Sequence, residues 1–206
     1  MTRRATDLGL SGMERMHSHN LEDLPGIELL RIGRDSIEYG LVHGKPLPVA
    51  RDKFSAALMQ PGATFSTLRL EGELRGCCGT LEAYGPLAQD VAHSAFRAAY
   101  QDPRFDPVRH EEFNAVRLEV SVLSPLETIP FTDEDDLMSR LTPGVDGLVI
   151  IEGRRRATFL PKVWESLPDP RDFLARLKGK CGLPADYWSE RLEFQRYSTL
   201  SYAESA

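Results

Sequence analysis

Soft metal ligands are scarce in this chain. Only three of its 206 residues are cysteine, Cys77, Cys78 and Cys181. An iron–sulfur cluster or a structural zinc site normally draws on four such ligands, and no C-x-x-C spacing occurs, so no metal site is expected. Long apolar runs are missing too: nothing approaches the roughly 20 residues needed to span a bilayer. The basic start, Met1-Thr2-Arg3-Arg4, is not followed by the apolar stretch of a signal peptide or twin-arginine leader. These absences lead us to expect a cytoplasmic protein whose three thiols are free. Positive charge is in deficit, with 25 Lys and Arg against 31 Asp and Glu for a net −6. That argues against a domain built to grip phosphate backbones. No Walker loop, G-x-G-x-x-G, H-E-x-x-H or G-x-S-x-G pattern is present.

What is there suits an ordinary globular protein. Residues 1–23 are polar and without apolar period, and read as a tail; His17 and His19 within it are read as idle rather than as a metal site. A helix is predicted over Glu28–Leu41, with Leu29, Ile32, Gly33, Ser36, Ile37 and Gly40 on one face. After a proline-containing loop, a short amphipathic piece is expected near Lys53–Met59. Thr64–Leu70 and Leu74–Thr80, joined at Glu71-Gly72, form a predicted hairpin. A second helix is expected over Pro86–Tyr100, with His93 turned outward. A loop with two Asp-Pro pairs follows, and then Val116–Leu123 alternates cleanly as a strand. The run Asp133–Asp136 reads as a capped helix start rather than a metal site. A second hairpin, Leu148–Ile151 with Arg155–Leu160, precedes a helix capped by Asp169 that buries Cys181. Helices and short-turned hairpins without a βαβ rhythm make the fold class α+β with antiparallel sheet.

The segment Leu74-Arg75-Gly76-Cys77-Cys78-Gly79-Thr80 is the most unusual. Strict alternation would put Leu74, Gly76 and Cys78 on the core side and Arg75 with Cys77 on the other. A neighbouring Arg lowers a thiol's pKa below its free value of about 8.5, which favours the reactive thiolate. Gly76 and Gly79 would leave backbone N–H groups open to a ligand or oxyanion. The competing reading is that small residues here only let two layers pack closely. His110 and Glu119 are the candidate proton carriers for Cys77. Arg154–Arg156 reads as a solvated hairpin tip, and nucleic acid is not an expected partner.

LRGCCGT, the Pro-initiated helix, the Asp102-Pro103-Arg104-Phe105 loop, the Glu119-Val120-Ser121 strand and the Leu160-Pro161 segment occur in one order. In that order they resemble the AMME chromosomal region (AMMECR) family, known in prokaryotes as AmmeMemoRadiSam system protein A. The likeness runs from about Leu24 to Tyr202, and residues 24–203 are taken as the domain. Cys78 stands where the family usually has Ile, and Lys162 where it usually has Gln. The resemblance implies a two-lobed α+β unit with the LRGC segment in a cleft. It adds Gly76, Gly79, Thr80, Asp102, Arg104 and Ser121 as candidate ligand contacts. It also implies a Memo-like protein and a radical S-adenosylmethionine protein as partners; this chain lacks the three-cysteine motif of the radical enzyme. Two functions are expected. One is a component of an enzyme system for redox or radical-type modification, with Cys77 reacting, Arg75 activating it, and Glu119 or His110 moving protons. The other is a non-catalytic module that binds a small molecule or peptide, or docks one of those partners. The residues assign no cofactor.

Overall fold

The computed structural model describes residues 24–205. The tail of residues 1–23, with His17 and His19, lies outside them. Helix α1 (Gly26–His43) turns its small and apolar stripe inward: Leu29, Ile32, Gly33, Ser36, Ile37 and Gly40 are all buried. It packs on α2 (Leu87–Tyr100), whose alanines allow close approach. A β-carbon at Gly40 would lie 2.4 Å from the Tyr100 ring. Both helices cover one face of a four-stranded antiparallel sheet in the order β2-β1-β3-β8. Its strands are β1 (Thr64–Leu70), β2 (Glu73–Gly79), β3 (Arg117–Leu123) and β8 (Thr199–Ala203). Between helices and sheet lies the first core, with Leu68, Leu118, Val120 and Val122.

The second lobe repeats the arrangement with different strands. β4 (Glu127–Thr128), β5 (Gly147–Glu152), β6 (Arg155–Phe159) and β7 (Leu192–Tyr197) make an antiparallel sheet in the order β4-β7-β5-β6. Leu148, Ile150, Leu192 and Phe194 on one face pack with residues of α3 (Glu134–Ser139) and α4 (Pro170–Lys180). Both helices are capped: Asp169 accepts from Arg171 N and Asp172 N as expected, and the acidic run starts α3 with Asp133 as its cap, accepting from Asp136 N. The alternate residues Val149 and Tyr197 meet Ala63 and Leu123 of the first lobe in a third cluster. The chain crosses between lobes at Ser124 and Ser198, and those crossings are bonded to each other, Ser124 N to Ser198 O at 2.9 Å and Ser198 N to Ser124 Oγ at 3.0 Å. The α+β class and antiparallel sheets are thus as expected.

Three local features differ from the sequence reading. In place of the amphipathic piece expected over 53–59 stands a single 3-10 turn, Arg51–Lys53, followed by turns from which Leu58 is buried and Phe54 packs part-buried against the first core. The C-terminal strands β7 and β8 were not anticipated. The β1–β2 hairpin also carries a bulge: Leu68 pairs with Gly76 but Arg69 pairs with Leu74, which leaves Arg75 as the extra residue. No helix among the described residues is long and apolar enough to cross a membrane.

Candidate functional site

The helix-free face of the first sheet looks across a cleft of about 770 Å³ at β6, the segment after it and the end of α4. Cys77 stands in the sheet wall. Its Sγ accepts from Thr67 Oγ1 at 3.5 Å, and its backbone N–H donates to Asp102 Oδ2 at 2.8 Å. β2 is an edge strand, so that N–H would otherwise have no ladder partner; the Asp102-Pro103-Arg104-Phe105 loop supplies one. Asp102 also takes both Nε (2.9 Å) and Nη2 (2.6 Å) of Arg104. The guanidinium holds the buried Asp102 carboxyl well below its usual range, at about 2. In return Asp102 fixes Arg104, which lines the cleft and reaches the Cys77 carbonyl at 3.5 Å.

The bulge changes who stands beside Cys77. Arg75 does not share its side: it turns to Glu112, bonded at 2.6 Å, and lies 6.0 Å from the centre of the Phe105 ring. Leu74, expected in the core, is 37% exposed and lines the cleft. Both corrections have one cause, since an extra residue on one strand inverts the alternation beyond it. Arg104 supplies the nearby cation instead. Cys78 does face the helices, packed against the first core, and burial pushes its thiol up.

The glycines serve packing rather than a ligand. A β-carbon at Gly76 would sit 2.1 Å from the Ala98 carbonyl oxygen of α2, and one at Gly79 would sit 2.2 Å from Thr64 O. Thr80 is also turned from the cleft, donating to Asp90 Oδ1 at 2.9 Å. Asp90 accepts from Thr64 N and Oγ1 as well, pinning the hairpin to α2, and burial raises its pKa. His110 is exposed on the loop before β3 and does not line the cleft.

Glu119 and Ser121 do line it. Ser121 Oγ is 2.7 Å from Ser201 Oγ on β8. Glu119 accepts from Lys162 Nζ at 2.8 Å, an ion pair that joins the lobes across the cleft. Arg156 and Glu82 form a second inter-lobe pair, to which Tyr84 adds a hydrogen bond.

Sequence reasoning missed Lys180, the last residue of α4. Its Nζ donates to Thr158 O at 2.9 Å and lies 5.2 Å from the Phe159 ring centre. The cleft surroundings desolvate the ammonium and lower its pKa; Arg104 acts in the same direction and a Cys77 thiolate against it. The available signal was a pair of lysines in a last helical turn, which reads by default as a dipole partner. Ser201 and Thr199 were missed with the strand that carries them. A smaller cavity of about 370 Å³, lined mainly by apolar residues such as Leu81, Leu87 and Leu126, lies elsewhere at the lobe boundary. Among the described residues, no group of three or more His, Cys, Asp or Glu is placed to hold a metal ion.

The family model AMMECR1 matches residues 30–202. The chain belongs to the AMMECR1 family. Its relatives include a protein of Methanothermobacter thermautotrophicus, 37% identical over 166 residues, covering 78% of this chain and 84% of that protein. Protein MJ0810 of Methanocaldococcus jannaschii is 33% identical over 187 residues, covering 87% and 90%. The crystal structure of uncharacterized protein PH0010 from Pyrococcus horikoshii superposes with a TM-score of 0.81 at 32% identity, covering 87% of this chain and 91% of that one. The likeness therefore spans both lobes and the cleft between them. None of these three names states an activity.

Proposed function

We propose that the inter-lobe cleft is a ligand site with Cys77 as its reacting group, and that this AMMECR1-family chain is a component of an enzyme system for redox or radical-type modification. The observation that carries the reading is the placement of Cys77. Of two adjacent cysteines, it alone lines a cleft large enough for a small molecule, beside the fixed Arg104. Cys78 points into packing. Hydroxyls of Thr67, Ser121 and Ser201 offer orienting groups, and of the two carboxylates lining the cleft Glu119, on the same sheet as Cys77, is the candidate proton carrier.

The test is the pH dependence of Cys77 alkylation on the native protein, read peptide by peptide, with Cys77→Ser as control. Half-maximal reactivity below the free-thiol value of about 8.5 supports an activated thiolate. Labelling that waits for unfolding overturns the reading. A second reading, a module docking a Memo-like or radical S-adenosylmethionine partner, is favoured by two observations: among the described residues no histidine lines the cleft, and Arg75 is paired with Glu112. Under it, Cys77→Ser leaves partner binding and system turnover unchanged.

A further inference from the structure

Charge is spread unevenly over this chain. Its net charge is −6, yet four cations, Arg69, Arg104, Lys162 and Lys180, line the cleft against two carboxylates, Glu119 and Glu165. Lys162 is neutralised by Glu119. Arg69 donates to the Gly72 carbonyl of its own hairpin. The other two cations are differently placed. Arg104 engages Asp102 through Nε and Nη2, and its Nη1 has no protein acceptor among the described residues. Lys180 holds only a backbone carbonyl and an aromatic face, with no carboxylate in ion-pair distance among the described residues. A lysine that merely complements a helix C-terminus needs no such seat; Lys180 instead lines the cleft, bonded to β6. Arg104 comes from the first lobe and Lys180 from the second; both line the cleft with Cys77, and Arg104 acts electrostatically on Lys180.

Resting on the reading of the cleft as a ligand site, we propose that its ligand is a small oxyanion-bearing molecule, a carboxylate or phosphate, whose charged group is held between Arg104 and Lys180 beside the Cys77 thiol. A guanidinium already fixed by a carboxylate behind it loses little freedom when it meets an anion. The ammonium opposite supplies a point charge without that geometric demand. Thr67, Ser121 and Ser201 are left to bond the neutral part of the molecule.

The experiment compares two alkylating probes of similar size and opposite character, anionic iodoacetate and neutral iodoacetamide. Each is attacked by the Cys77 thiolate with loss of iodide, so their rate ratio cancels the thiol's own reactivity. At low salt the ratio in the native protein should exceed that of the same cysteine in urea by about tenfold, given one or two cations close by. Lys180→Met should remove most of the excess, Lys180→Arg should keep it, and thermal melting checks that both variants fold. In wild type alone, raising the ionic strength to about 1 M, where the Debye length is about 3 Å, should also collapse it. A native ratio no higher than the unfolded one, or an excess unchanged in folded Lys180→Met, overturns the proposal. If Cys77 reacts with neither probe before unfolding, the reactive-thiol reading fails while the anion site is still decided by calorimetry with inorganic phosphate and with acetate. Binding of either one that is lost in Lys180→Met supports the site and separates phosphate from carboxylate; binding of neither overturns it.

Discussion

Along β1, Ser66 and Leu68 pack beneath the helices while Thr67 and Arg69 line the cleft. The same split runs through the whole first sheet. On the helix side Leu68, Leu118 and Val120 are buried to 1% exposure or less, and Gly76 admits the closest turn of α2. On the cleft side stand a thiol, hydroxyls and a carboxylate: Cys77, Thr67, Ser121, Ser201 and Glu119. Period-two alternation puts both sets on the same strands, so one backbone holds the core and presents the polar groups. The fold is stabilised mainly from one face, which leaves the other free to carry polar groups that a core would reject. Substitutions on the two faces should therefore fail differently.

The largest effect is expected at Leu118→Ala, on the helix side. Removing a buried leucine costs about 2–5 kcal/mol by transfer and cavity terms together. Ser121→Ala, three residues along and on the cleft side, should cost below about 1.5 kcal/mol, the ordinary net value of one hydrogen bond. Urea midpoints of the two variants decide it. Equal losses would break the division between the faces.

Asp102 comes next, because it joins the faces: it bonds the Cys77 backbone and steers Arg104 into the cleft. Asp102→Asn should cost about 1.5–3 kcal/mol, the range for hydrogen bonds to a charged group. The pH dependence has a definite sign. The folded carboxyl sits at about 2 against an ordinary 3.8, so its contribution is present above pH 3.8 and is lost as pH falls through about 2. The stability gap between wild type and Asp102→Asn should thus be full near neutrality and close on acidification. Asp90, raised by burial, contributes in the opposite sense, but it is common to both proteins and cancels in the difference. A gap that stays constant down to pH 2 would remove Asp102 from this role.

Gly76→Ala tests a close contact between sheet and helix. The added carbon would meet a backbone oxygen 2.1 Å away, which no rotamer change can clear. Overpacking of this kind costs about 1–3 kcal/mol. The melting temperature should fall while Cys77 in the folded protein still alkylates at close to the wild-type rate. If alkylation collapses with stability intact, Gly76 belongs to the site and not to the packing.

Periodicity made the helices, the first hairpin and the central strand legible because each has a face of one character. β7 and β8 escaped because the alternation of Leu192 and Phe194 with Glu193 and Gln195 is short and breaks at Arg196, and because a single residue, Ser198, separates two strands that join different sheets. No local turn signal marks such a crossing. At the site, the backbone alternation separated Cys77 from Cys78, and both landed on the faces expected. Arg75 was misplaced because a bulge is a pairing event: it depends on the partner strand, and nothing in Leu74-Arg75-Gly76 alone announces it. Lys180 was invisible for a related reason. Its place in the cleft follows from how the second lobe docks on the first, which is settled by buried contacts around Val149 and Tyr197 far from it in sequence.

The smallest effect on stability should come from the Glu119–Lys162 pair, where the lobes meet over the cleft. The lysine side chain is 46% exposed, and pairs of that kind contribute only about 0–1 kcal/mol. Lys162→Gln removes the charge but keeps a polar side chain, and should leave the urea midpoint within that margin. Its consequence belongs to the cleft. Without the ion pair, one tie between the lobes weakens while the Ser124–Ser198 crossings and the third apolar cluster still hold them together. Neutral iodoacetamide should then reach Cys77 faster, with the other two cysteines unaffected. That outcome would show the cleft face tuning access while the helix face maintains the fold. A fall in stability beyond 1 kcal/mol would instead make this pair part of the framework, and the contrast between the two faces would have to be redrawn at Glu119.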